Sequence, residues 1–290
     1  MEYLNNLVPD FFLSISEAGT AQWSSAKTLA QEVLTGIVTD AMVQDLGRNL
    51  AKLHQLSRKT SLTDSQFSHQ VNVFRDTSKK DLVSNAIFTG PFNRDLLNDL
   101  HPEVKEKAEN LIFHDKVKSL ANRLQGLYDK QDECLIGGNF TPEKTLIKDG
   151  KTHIVDPQFV GHGPAAFDIA SYVSYFIMAY HHHMLIPEDH DNQHKIAMKM
   201  VDLTEKFVGA YLEEIQMENK EEYVEQLMSD TAAFSGILVI GRCLNAEMTP
   251  QLDNRKETAI EALQSGMLLL TRHDRMNSIS RILTISLMLL

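Results

Sequence analysis

Residues Cys134 to Ala170 read CLIGGNFTPEKTLIKDGKTHIVDPQFVGHGPAAFDIA, and more of the architecture follows from them than from any other part of the chain. An apolar lead-in, Leu135-Ile136, meets a glycine-rich turn, Gly137-Gly138-Asn139. Leu146-Ile147-Lys148 and the alternating run Thr152 to Val155 then flank Asp149-Gly150. Asp-Gly between two short apolar runs predicts a tight β-hairpin, because both turn residues must adopt positive φ. The expected product is a loop, a small hairpin, and an acid, Asp156, at the end of the second strand.

Outward from this stretch the chain reads as mainly helical. Met42, Val43, Leu46, Leu50 and Leu53 form an apolar stripe at spacings of three and four, the mark of an amphipathic helix. Val104 to Leu127 predicts one long helix or a broken pair. Phe167 to Tyr180 reads as a buried helix, and further stripes run from Ile196 to Tyr211, Thr231 to Leu244 and Arg255 to Arg272. Pro9, Pro91, Pro102, Pro142, Pro187 and Pro250 fall at or near the expected boundaries. Ser57 to Asp81 is polar and is expected to be a mobile excursion. The greasy run at residues 279–290 is too short to span a bilayer, and its role stays open.

Composition narrows the classes. Hydrophobic residues at 43% and charged residues at 23% are ordinary globular values. A formal charge of −11 excludes general nucleic-acid binding, which relies on a basic surface. Two cysteines, Cys134 and Cys243, give no disulfide framework, and Glu2, Asn5 and Asn6 interrupt any signal-peptide pattern. A cytoplasmic protein without a transmembrane span is expected. The run His181-His182-His183 is read as a helix end, because consecutive helical residues point in different directions and cannot share one metal.

The central stretch resembles the aminoglycoside phosphotransferase and choline kinase superfamily, and within it the methylthioribose kinases. Their motifs His-Gly-Asp-Leu-His, Ile-Asp-Pro-Glu-Phe and Tyr-Gly-Pro-x-x-Phe-Asp-Ile align with Gly137 to Thr141, Val155 to Phe159 and His162 to Ile169. Leu46 to His54 resembles the helix that opens the large lobe, and Phe88-Thr89-Gly90-Pro91-Phe92 resembles Phe-x-Asp-Pro-Tyr. Val239-Ile240-Gly241-Arg242-Cys243 falls where the family has Met-Ile-Arg-Arg-Ile. The fold this implies is mainly α with a small β-hairpin, the C-terminal large lobe of a protein-kinase-like fold. The first forty residues carry no glycine-rich phosphate loop, and Lys27 is their only basic residue. The opening, residues 1–8, resembles the hinge after a small lobe. The whole chain, 1–290, therefore reads as a large lobe without its lid.

The resemblance also assigns roles. Asn139 stands at the family's catalytic aspartate, and its amide cannot take a proton. Losing a positioned general base costs about a hundredfold to ten-thousandfold in rate. Asp156 and Gln158 stand at the metal positions, with an amide replacing the family's glutamate. Mg²⁺ commonly needs one or two carboxylates beside the phosphates of its nucleotide. Asn139 and Asp156 are expected as two sides of one cleft. Lys144 occupies a position where it would oppose Mg²⁺ or neutralise a phosphate. Glu2 and Tyr3 match the nucleotide-contacting hinge, Arg242 one of two arginines near the sugar, and Asp168 a scaffold acid that holds the loop. ATP and Mg²⁺ are the implied cofactors. Asn139 is read equally well as a turn residue, and Arg242 as a core arginine paired with an acid.

Two readings remain. In one, the chain is a methylthioribose kinase-like protein, impaired or inactive for want of a small lobe and the catalytic aspartate, that holds a small-molecule ligand or a protein partner. In the other it is an active ATP-dependent kinase of a sugar-like alcohol, in methionine salvage or specialised metabolism. Oligomeric state is not legible.

Overall fold

A computed structural model describes residues 1–245 and 256–288. Pro250, Arg255 and the last two tail residues lie outside the described residues. The first forty residues do not make a strand-rich cap. They form helix α1 (Glu2–Leu7), strand β1 (Phe12–Leu13), helix α2 (Ile15–Ala18), strand β2 (Lys27–Thr28) and helix α3 (Leu29–Leu34). α2 starts where Ser14 and Glu17 form a reciprocal capping box, which satisfies two otherwise free amides.

Helix α4 (Asp40–Ser57) buries the predicted stripe of Val43, Leu46, Leu50 and Leu53. The polar excursion then folds into α5 (Asp64–Val73) and α6 (Thr77–Ser84), which start at the side-chain caps Thr63 and Asp76. Gln70 joins this excursion to the body. Its Nε2 donates to the Ser57 carbonyl at 2.8 Å, and its Oε1 accepts from the Tyr3 hydroxyl at 2.9 Å. A π-helical turn, Asn85–Thr89, and a 3-10 turn, Gly90–Phe92, follow. The Val104 to Leu127 pattern is a broken pair, α7 (Pro102–Ile112) and α8 (Asp115–Lys130).

The central stretch folds as its turn chemistry requires. Strands β3 (Cys134–Ile136), β4 (Thr145–Lys148), β5 (Lys151–Val155) and β6 (Gly161–Gly163) follow in order. β4 and β5 pair antiparallel with Lys148 opposite Lys151. Asp149 at φ 51° and Gly150 at φ 74° make the two-residue turn. β1 joins parallel to β5 and β2 antiparallel to β4, giving the order β1-β5-β4-β2, while β3 and β6 form a separate pair. Asp45 on α4 accepts from the Thr152 amide (2.8 Å) and hydroxyl (2.6 Å), which fastens β5 to the helical body.

The core lies around α9 (Ala165–Met184), buried from Ala165 to His183. It packs against α10 (His190–Glu214), α11 (Lys220–Leu244) and α12 (Lys256–Arg272). Aromatic contacts run Tyr128–Phe167–Phe234 at centroid separations of 4.7 and 5.6 Å. Arg58 and Glu133 lock this packing in place. Arg58 Nη2 donates to Glu133 Oε1 at 2.6 Å and to the Tyr223 hydroxyl, while Glu133 Oε2 receives the Ala165 amide that opens α9. The three adjacent histidines diverge: His181 reaches Ser265 and His183 reaches Gln193. The apolar tail includes α13 (Ile279–Ser286), which buries Ile282 and Leu283. Among the described residues α11 alone is long and apolar enough to cross a membrane, and 89% of that window is buried in the core.

Candidate functional site

The loop between β3 and β4 is held from below by one buried acid. Asp168 Oδ2 accepts the Gly137 amide at 2.7 Å and faces His54 Nε2 at 3.3 Å, with both side chains inaccessible. The other ring nitrogen of His54 lies 2.8 Å from the Tyr211 hydroxyl. An anionic acceptor on a loop amide is a strong hydrogen bond, so α4, α9 and α10 together fix where Gly137 sits.

Above that brace the loop is packed, not charged. A Cβ placed on Gly137 would lie 2.0 Å from Phe140 Cγ, in steric overlap with the ring. Phe140 is itself buried, 5.9 Å from the Phe12 ring. The aromatic ring therefore fills the volume that a side chain at residue 137 would need. Gly138, at φ 65°, presses against the Phe159 carbonyl, which would lie 2.6 Å from any Cβ there. Neither glycine is replaceable without moving a neighbour.

Asn139 is half-buried and lines a cavity of about 340 Å³. Its walls come from the helical segment Leu82–Pro91, from Phe159, and from the end of α11 at Gly241, Leu244 and Asn245. Lys144 stands with its Nζ 5.6 Å above the Phe159 ring. Arg242 turns away into the core, where its guanidinium lies 5.6 Å from the Tyr175 ring and burial pushes its pKa down. Gly241 faces the cavity; Arg242 is not among its walls.

Asp156 and Gln158 line a different, more open hollow of about 650 Å³ with Ser14, Ser16, Phe74 and Met1. Phe159 is a wall of the Asn139 cavity, and its neighbours Pro157 and Gln158 are walls of the Asp156 hollow. Asp156 has φ 56°, sparsely populated for a residue with a side chain. Its amide donates to the Leu13 carbonyl at 2.9 Å and its carbonyl accepts from Gln158 at 2.8 Å. Of the predicted hinge pair, Glu2 is exposed, and Tyr3 packs edge-on against Phe74 and bonds Gln70. Their neighbours Met1 and Leu4 line the hollow instead.

The donors beside Asp156 are one carboxylate, one exposed neutral amide and two serine hydroxyls. A resident Mg²⁺ is usually held by carboxylates together with substrate phosphates, so this set does not fit the ion as a protein-bound group. Among the described residues no three acidic, histidine or cysteine side chains cluster as ligands. Sequence reasoning did not find Ser14, Ser16, Phe140 or the wall Leu82–Ile87. The Ser14–Glu17 capping pattern was the available signal for the first of these.

The profile described as APH: Phosphotransferase enzyme family matches residues 15–193, more than half of the chain. The chain belongs to this family of phosphotransferases. Methylthioribose kinase of Bacillus pumilus (strain SAFR-032) is 21% identical over 264 residues, spanning 87% of this chain and 66% of that protein. That of Bacillus velezensis is 20% identical over 97% of this chain and 74% of its own length. That of Bacillus cereus (strain 03BB102) is 22% identical over 77% and 59%. The chain spans roughly two thirds of the curated relatives it matches. A solved glucosamine kinase covers 92% of this chain and 58% of its own at 13% identity and a TM-score of 0.41. At about 20% identity the chain is a methylthioribose kinase-like member of this phosphotransferase family.

Proposed function

We propose that this chain is a phosphotransferase-fold protein that holds a small, mainly apolar molecule beside Asn139 and does not transfer phosphate to it at an enzymatic rate. One observation carries the reading. At positions where the aligned family motifs have Asp, Asp and Arg, this chain has Asn139, Gly90 and Gly241, and all three line the same cavity. A site built to grip a polyhydroxylated sugar needs charged partners for the hydroxyls. Removing the partner from one side leaves the other unpaired, typically at about 1–3 kcal/mol. Apolar walls with an amide favour instead a molecule with a hydrophobic body and one hydroxyl or carbonyl.

The reacting end supports the same conclusion. Asn139 cannot accept the proton of an attacking hydroxyl. Gln158 brings no charge to the Asp156 hollow, and phosphoryl transfer depends chiefly on electrostatic positioning.

The test compares benzyl alcohol with ribose as stabilisers in thermal unfolding of the full chain. A molecule that binds only the folded state raises the midpoint in proportion to RT ln(1 + [L]/Kd). Benzyl alcohol should raise the midpoint, ribose should not, and Gly241→Leu, which fills the cavity, should abolish the shift. A midpoint raised by ribose and not by benzyl alcohol would contradict the assignment.

A further inference from the structure

Among the described residues, the polar side chains in the walls of the Asn139 cavity are two carboxamides, Asn139 and Asn245, and no wall carries a charge. Lys144 stands over the Phe159 ring but is not itself a wall. The π-helical turn Asn85–Thr89 contributes Ala86 and Ile87, and such turns are rare elements found frequently at functional sites. At about 340 Å³ the space lies at the lower end of the range for ligand pockets, roughly 300–1,000 Å³, so its occupant is small.

The Asn139 amide is both unpaired and reachable. Within the described residues neither its Oδ1 nor its Nδ2 has a hydrogen-bond partner, and neither atom is sealed from solvent. The oxygen can only accept and the nitrogen can only donate. A single hydroxyl or ketone oxygen engages one of the two and leaves the other unmet once water is displaced, which is costly. A primary carboxamide presents a carbonyl oxygen and an N–H side by side and engages both in parallel. It fits equally well if oxygen and nitrogen at residue 139 are exchanged. A carboxylate or an ammonium would surrender its hydration with no opposite charge in the walls to replace it.

We infer that the cavity takes a small, neutral molecule carrying a primary carboxamide on an apolar body, and that Asn139 selects the amide. The carbonyl oxygen of the ligand accepts from Asn139 Nδ2–H, its N–H donates to Asn139 Oδ1, and its body packs on Leu82, Ile87 and Leu244. This assignment rests on the apolar site proposed above and narrows its polar group from a hydroxyl or carbonyl to one head group.

The experiment is a ligand-observed NMR titration of the full chain with four probes of one shape: benzamide, benzyl alcohol, sodium benzoate and benzylammonium chloride. Benzamide should bind with a dissociation constant on the order of 1 mM. Benzyl alcohol, benzoate and benzylammonium should each bind about tenfold more weakly or worse. Asn139→Leu should bring benzamide to within about threefold of benzyl alcohol. Asn139→Asp, which only accepts, should invert the order so that benzylammonium binds more tightly than benzamide. Circular dichroism confirms that each variant folds. Benzyl alcohol bound as tightly as benzamide would overturn the amide assignment and leave the apolar site standing, whereas binding of no probe would overturn both. Tighter binding of benzoate than of benzamide, or an unchanged order in both Asn139 variants, would also overturn the assignment.

Discussion

The underside of the Gly137–Phe140 loop and its upper face are built on opposite principles. Below, a buried carboxylate is engaged by a backbone amide and an imidazole, and three helices converge on it. Above, the cavity is lined by Asn139, Gly90 and Gly241, none of which carries charge. The contacts that place the loop make no demand on the residue at 139. Position and chemistry are therefore separable here: the shape of a phosphotransferase site persists on electrostatics hidden beneath it, while the face toward a ligand is neutral.

The sharpest way to break this contrast is Asp168→Ala. It strands the Gly137 amide and His54 in a sealed core, and loss of one member of a buried pair costs about 3–5 kcal/mol. Urea unfolding should show a fall of that size, and a loss below about 1 kcal/mol would mean the loop does not depend on the brace. Next in size is Gly137→His, which drives a side chain into Phe140 and should cost about 2 kcal/mol or more. Adding Phe140→Leu should recover at least about half of that loss, because the two residues compete for one volume. Independent, additive effects would refute the exchange of side-chain volume.

The pH dependence tests the helical body in the same way. His181 is pushed down to about 4 by burial, with its Nε2 2.7 Å from Ser265. A lowered folded-state pKa means the unfolded chain binds the proton more readily, so the contribution is fully present above the unfolded value of about 6.5 and is lost as pH falls toward 4. Stability should drop by about 2 kcal/mol between about pH 7.5 and 5 from this residue alone, and His181→Gln should flatten that part of the profile. A smaller effect is expected at the upper face: Asn139→Asp should change stability by less than about 0.5 kcal/mol, since the residue is half-exposed.

Much of this fold was legible because local rules and tertiary packing agree. Asp149-Gly150 demanded two positive φ angles and obtained them. The stripes on α4, α9 and α10 were buried as their periodicity required. The polar segment after Ser57 was harder to read, because its two helices begin at side-chain caps and are tied in by scattered contacts, those of Gln70 and Lys80 among them, instead of an apolar stripe. The scaffold under the loop was legible by motif at Asp168, whose carboxylate takes the Gly137 amide. The packing above it was not legible at Phe140, whose role is to occupy the space above Gly137, a relation that exists only once the loop is folded.

The most direct test of the central claim is release of ADP by the unaltered full chain given ATP, Mg²⁺ and methylthioribose. A neutral residue at 139 predicts turnover at least about a hundredfold below the ordinary enzymatic range of roughly 1–1,000 per second. A turnover number within that range would contradict the account.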